Sequence, residues 1–208
     1  MKTEIQPQES CRAEAFSLWM TSPMPMVTMT KTMDVSRLVK LSRKSGQKFN
    51  MLLCWCIGMA ASKIDVFYIM TANGKLYRYD KLAINVVVEN SKGDINNCDI
   101  PFSEDLHQFN RDYMALTAQA ATECRNTVCP DCMIIGTSAM IQTEIDSIVN
   151  QYSGKYNNPF LVWGRYRKRL FKTTLPVSLQ FHHVQMDGSH AATFLESLQQ
   201  VMLHTVAP

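Results

Sequence analysis

What the chain lacks narrows it first. Its longest apolar run, MLLCWCIGMAA at 51–61, stops well short of the ~20 residues a bilayer-spanning helix needs. Strong charge of either sign is also missing. Charged residues make up 19% and the formal net charge is +3, too small a surplus for a nucleic-acid binder. The opening MKTEIQPQES contains no apolar stretch of the signal-peptide kind, so a cytoplasmic location is expected. No internal repeat, low-complexity tract or linker interrupts residues 1–208, which read as one domain. Cysteine is present but follows no disulfide framework: there are seven, an odd number, at irregular spacing. Reduced thiols are therefore expected, including Cys129 and Cys132 of the lone C-x-x-C. With no second such pair and no nearby His, that loop is read as two packed thiols without a metal.

What is present is ample core material, 46% apolar residues. A short helix is expected over 10–19 with Ser10 as its cap, and a strand over 24–31. Asp34 caps a helix through Arg43 that Gly46 closes, and Asn50 is read as the cap of an all-round apolar helix over 51–63. Segments 67–70 and 75–79 flank Ala72-Asn73-Gly74, a hairpin signal. A strand follows at 82–89. The polar stretch 90–99 reads as a loop, 103–121 as a long helix, and 133–139 as a strand. Segments 159–163 and 175–184 read as paired strands around the basic run Arg165–Arg169, and 188–204 as a final helix.

The strand at 175–184, LPVSLQFHHV, carries the chemistry. Leu175, Val177, Leu179, Phe181 and His183 share one parity, and Ser178, Gln180 and His182 the other. The pattern predicts an inward His183 and a His182 facing elsewhere. Asp187-Gly188 then turns the chain into the last helix. An imidazole at the end of a buried strand suits a general base, since it titrates near neutrality.

His182-His183-Val184-Gln185-Met186-Asp187-Gly188 resembles the HHxxxDG motif of the chloramphenicol acetyltransferases and the wider family of CoA-dependent acyltransferases. CRAEAFSLW resembles that family's Arg-x-Glu-x-Phe segment, with Arg12 on its arginine and Ala15 where a His is usual. Ser138-Ala139 falls where the family has a Ser-Ala, although Met140-Ile141 replaces its Pro-Trp. The order of strand, two helices, hairpin and strand is also shared.

The resemblance implies an α/β fold, a two-layer sandwich with a large mixed β-sheet flanked by helices. It implies acetyl-CoA as co-substrate and direct transfer of the acetyl group to an acceptor hydroxyl. His183 is then the general base and Ser138 the donor to the oxyanion, with Asp187 and Arg12 paired to hold the histidine turn. A homotrimer with active sites between subunits is implied as well; an excess of apolar surface around the His183 strand points the same way. Leu18, Trp19, Ile148 and Val162 fall at or near family acceptor-pocket positions, Val162 where a Thr is common. Chloramphenicol as acceptor, and with it antibiotic resistance, is less supported than the transfer itself. A non-catalytic relic of the same fold and a transferase for an amine or thiol acceptor are the alternatives. Arg165–Arg169 could meet coenzyme A phosphates or be an ordinary solvated hairpin.

Overall fold

The computed structural model describes residues 1–206. Its elements are β1 (Lys2–Ile5), α1 (Ala13–Trp19), β2 (Met26–Asp34), α2 (Ser36–Ser45), α3 (Phe49–Ala61), β3 (Ile69–Ala72), β4 (Lys75–Tyr79) and β5 (Leu82–Glu89). They continue with β6 (Ile95–Pro101), α4 (Leu106–Glu123), β7 (Met133–Met140), β8 (Phe160–Gly164), β9 (Arg167–Lys168), β10 (Thr173–His182) and α5 (Gly188–His204). The main sheet runs β2-β10-β8-β7-β5-β6, with the short β9 on β10. It is mixed: β5, β7 and β8 are parallel, and the other pairings are antiparallel. A small sheet, β1-β4-β3, stands apart.

Parity divides the main sheet into two unlike faces. Met33, Ile84, Ile100, Ile135, Leu161 and Leu179, with their parity mates, form one core with the apolar sides of α2, α3, α4 and α5. Helix α3 is apolar all round because it lies in the middle of this layer, packed on α2, α4 and α5. Gly58 lets it approach Phe102, whose Cδ2 would lie 2.2 Å from an added Cβ. The opposite face carries Thr30, Asn85, Asp99, Ser138, Ser178 and Gln180. It is crossed by the irregular segment 141–159, from which Ile148 N–H donates to Ser178 Oγ (3.1 Å) and whose Asn150 carbonyl accepts from Gln180 Nε2 (2.8 Å).

Several expectations need correction. The polar stretch 90–99 is not all loop: from Ile95 it is edge strand β6, paired with β5, with Cys98 and Ile100 facing the core and Asn97 and Asp99 the other face. Asn50 does not cap α3, and its Oδ1 instead accepts from Trp163 Nε1 (3.3 Å). Ser10 Oγ accepts from Arg12 N–H (3.1 Å) just before α1, which has no side-chain cap of its own. The apolar parity of β10, from Leu175 to Phe181, is buried under this chain's own helices. The seven cysteines are not all free thiols. A turn in which Cys132 N–H donates to the Cys129 carbonyl brings those two Cα atoms to 5.6 Å, and their sulfurs are bonded. No helix among the described residues is long and apolar enough to cross a membrane.

Candidate active site

Strand β10 ends at His182, and the backbone then turns, with Gln185 and Met186 N–H both donating to the His182 carbonyl. Arg12, only 6% exposed, holds this turn from across the chain. Its Nε donates to the Val184 carbonyl (2.9 Å), its Nη2 to the His183 carbonyl (3.0 Å), and its Nη1 reaches Asp187 Oδ2 at 3.3 Å. Asp187 is also the N-cap of α5: its Oδ1 accepts from the N–H of Ser189 and His190, and His190 Nδ1 lies 2.8 Å away. Partial burial works to raise the Asp187 carboxyl, but the hydrogen bonds from Ser189 and His190 outweigh it and hold the group well below the usual carboxylate range. A fixed anion at a helix N-terminus is itself stabilising. Behind the turn, Val184 packs with Ile69 and Leu76 of the small sheet and with Phe16 and Trp19 of α1.

His183 follows the strand end, so strand parity no longer governs it. Its N–H donates to the Pro25 carbonyl (2.8 Å), and its ring stacks on Trp19, centroids 4.5 Å apart and 3° from parallel. The ring is half-buried; its Nδ1 is covered and unpaired, which leaves Nε2 as the edge open to a substrate. The expected contrast between the neighbours is therefore reversed in burial. His182 is the buried one, on the polar parity of β10, and its Nδ1 accepts from Val184 N–H (3.1 Å). Burial, helped by repulsion from His183, pushes its pKa down to about 4, so at neutral pH it is an uncharged imidazole with its proton on Nε2. Of the two rings, His183 has the accessible nitrogen that a base needs.

Ser138 lies elsewhere in the same chain. On β7 it pairs with Val162 of β8, which pairs with Ser178 of β10, itself bonded to Thr30 of β2 (2.8 Å). His183 is five residues beyond Ser178 and two strands over, which sets the two groups about 20 Å apart within one chain. One chain thus brings together Arg12, Trp19, His183 and Asp187 and leaves Ser138 outside the group.

Two clefts lie near Ser138, the first on its own face of the sheet and the second on the helix side. One, about 630 Å³, reaches Gly136 and Phe160, the paired residues one same-face step before Ser138 and Val162. The other, about 470 Å³, reaches Gly164, the partner of Met140 at the step after, together with Ile141 and, from α3 and α4, Phe49, Asn50 and Tyr113. Each step is about 7 Å along the strands. Both steps need a glycine. A Cβ at Gly136 would come within 2.2 Å of the Phe160 ring, and one at Gly164 within 2.7 Å of the Thr143 carbonyl.

The remaining candidates scatter. Leu18 is 63% exposed on α1, Trp19 covers His183, Val162 is buried beside Ser138, and Ile148 meets Ser178 through its backbone. In the basic run, Arg167 is already engaged by Glu144 (3.3 Å) and Asp146 (2.7 Å), whereas Arg165 lines the smaller cleft with Lys48, Phe49 and Tyr166. Sequence reasoning missed Lys48, which lies outside the basic run, and the amide-rich lining of the larger cleft. The density of Asn and Gln at 90–97 and 150–158 was the available signal for the latter.

Residues 2–199 match the sequence model of the family described as "Chloramphenicol acetyltransferase". Chloramphenicol acetyltransferase 3 of Escherichia coli is 23% identical over 180 residues, 84% of each chain. Chloramphenicol acetyltransferase 2 of the same organism is 24% identical over 195 residues, 90% of this chain and 91% of that one. A solved chloramphenicol acetyltransferase superposes with a TM-score of 0.84 at 20% identity, covering 97% of this chain and all of the other. A probable dihydrolipoamide acetyltransferase from Listeria monocytogenes gives 0.71 at 12% identity, over 99% and 97% of the two chains. By this match along nearly its whole length, the chain belongs to the chloramphenicol acetyltransferase family and is an acyltransferase.

Proposed function

We propose that the protein transfers the acetyl group of acetyl-CoA directly to an acceptor hydroxyl, at a site shared between subunits of a homotrimer. The observation that carries this reading is the position of Ser138, one strand step from residues of each of two clefts, one on its own face of the sheet and one on the helix side. That is where a group must stand to serve a donor from one side and an acceptor from the other. The smaller cleft suits the nucleotide end of coenzyme A: Lys48 and Arg165 offer charge to its phosphates, and Phe49 and Tyr166, ring centroids 5.2 Å apart, offer faces to its adenine. The larger cleft is left for the acceptor.

His183 removes the proton from the acceptor hydroxyl as its oxygen attacks the thioester carbonyl carbon. The oxyanion that forms is met by the Ser138 hydroxyl, a fixed donor already in place. The carbon–sulfur bond then breaks, and the proton on the imidazole passes to the departing CoA thiolate. No acyl-enzyme is required. Arg12 and Asp187 position the base by fixing the carbonyls of residues 183–184 and the start of α5. Because about 20 Å separates His183 from Ser138 within one chain, His183 works against the partner subunit's Ser138. We place the reaction in the cytoplasm, where acetyl-CoA is available.

Mixed oligomers test this. His183→Ala and Ser138→Ala proteins, each nearly inactive alone, are unfolded together and refolded as a mixture. An interface that pairs an intact His183 with an intact Ser138 then forms, and acetyl-CoA-dependent thiol release returns to a sizeable fraction of the wild-type rate. A mixture as inactive as its parents, or a protein that sediments as a monomer rather than at three times 23.7 kDa, overturns the shared site.

A further inference from the structure

The larger cleft has an unusual lining for a site beside an acyl-transfer centre. Its walls are crowded with neutral amides: Asn85 and Asn97 from the sheet, Asn126 from the loop before β7, and Asn150, Gln151 and Asn158 from the crossing segment. Gln180 enters from β10. No Lys or Arg lines it, so it has nothing to hold a phosphate or carboxylate. Its one carboxylate, Asp99, is already committed to Asn85 Nδ2 (2.7 Å) and Cys129 N–H (3.0 Å).

Much of this polar lining remains free. The side chains of Asn97, Asn150 and Gln151 and the hydroxyl of Tyr156 make no hydrogen bond among the described residues, and Gln180 spends only its Nε2 on the Asn150 carbonyl. Each amide presents two donors and an acceptor, a set that matches ligand hydroxyls, which both donate and accept. Between the amides stand aromatic faces, Tyr152, Tyr156 and Phe160. The Phe160 ring takes the space on β7 that a Cβ at Gly136 would fill. Such faces take the C–H side of a pyranose ring while the amides take its hydroxyls. The volume, about 630 Å³, holds one or two sugar rings.

From the neutral, amide-dense lining interleaved with aromatic faces, we infer that the acceptor is an uncharged polyhydroxylated compound of the sugar class, acetylated at one hydroxyl, and not an apolar aryl alcohol. The inference rests on the acetyl-transfer reading of the Ser138 site, which lies one same-face step from this cleft. A site that offers many hydrogen bonds rejects ligands that cannot return them, because its own groups then lose water without a replacement.

The test compares methyl glycosides of hexoses and of N-acetylhexosamines with chloramphenicol and 2-phenylethanol, by thiol release from acetyl-CoA with the full chain. The expected kcat/KM for the best glycoside exceeds that for the aryl alcohols at least about tenfold. Gln151→Leu combined with Asn97→Leu removes that advantage, chiefly through KM. Saturation-transfer NMR on His183→Ala protein measures acceptor binding without turnover. Glycoside binding by that protein, with no transfer to any acceptor by the wild type, upholds the sugar site and overturns the catalytic reading. Transfer to an aryl alcohol with no glycoside transfer and no glycoside signal does the reverse: the sugar site falls and the acetyltransferase reading stands.

Discussion

The two faces of the main sheet are made from the same strands by the same alternation, yet they serve opposite purposes. One is closed: Leu175, Val177, Leu179 and Phe181 of β10 vanish under the chain's own helices. The other keeps Ser138, Asn85, Asp99 and Gln180 and is crossed only by the irregular segment 141–159, which leaves a cleft in place. Stability is thus concentrated on one parity and chemistry on the other, so substitutions one residue apart along a strand should fail in different ways. His183 escapes the division because it lies past the end of β10.

His183→Ala carries the largest expected effect, a fall in turnover of about 10²–10⁴-fold with the fold unchanged. His182→Ala, on the buried neighbour, should act through packing and lower thermal stability more than turnover. The reverse outcome for this pair would break the assignment of the base. Phe181→Ala on the closed face should cost about 3–5 kcal/mol in urea unfolding. Ser138→Ala on the open face should leave that unfolding curve in place and slow transfer about 10²–10³-fold. If Ser138→Ala unfolds as readily as Phe181→Ala, the two faces are not divided as described.

Smaller effects sharpen the picture at the turn that joins them. Asp187→Asn keeps a capping oxygen for α5 but gives up the charge facing Arg12. With Asp187 itself partly exposed, the loss should be about 1–2 kcal/mol, together with a drop in activity. Equal stability and activity would show that the pair does not order the histidine turn. A further effect lies in pH. His182 has a pKa lowered from 6.5 to about 4, so between those values the unfolded chain binds a proton that the folded chain refuses. Stability should therefore be complete above about pH 6.5 and decline towards pH 4. A His182→Phe protein that still folds should lose part of that slope when its unfolding midpoint is followed across the window.

Local signals served well wherever one element decided its own form. The hairpin at Asn73-Gly74, with both residues at positive φ, the αL stop at Gly46, and the strand 82–89 all stand where turn chemistry and alternation put them. They gave out where an element's reason lies elsewhere in the chain. Strand β6 lies in a polar, Gly-containing stretch that reads as a loop, and it is a strand because it pairs with β5 along its length. Asn50 has the right chemistry for a cap and is spent on Trp163 instead. The C-x-x-C thiols are bonded because a local turn brings them together, which an odd cysteine count does not reveal.

The site divides in the same way. Motif resemblance in the sequence singled out Arg12, Ser138, His183 and Asp187, and alternation along 175–182 determined which residues of β10 face the helices. Alternation is a property of extended backbone, so it could not carry past His182, where the strand stops and the turn takes over. Only the tertiary structure decided that His182 is the buried ring, that Trp19 lies on His183, and that Arg12 clasps the carbonyls of the histidine turn. It also decided that Ser138 and His183 stand apart within one chain and that Ser138 sits between two clefts. Those are distances across strands, set by register and packing between segments far apart in sequence, and no local pattern of residues contains them.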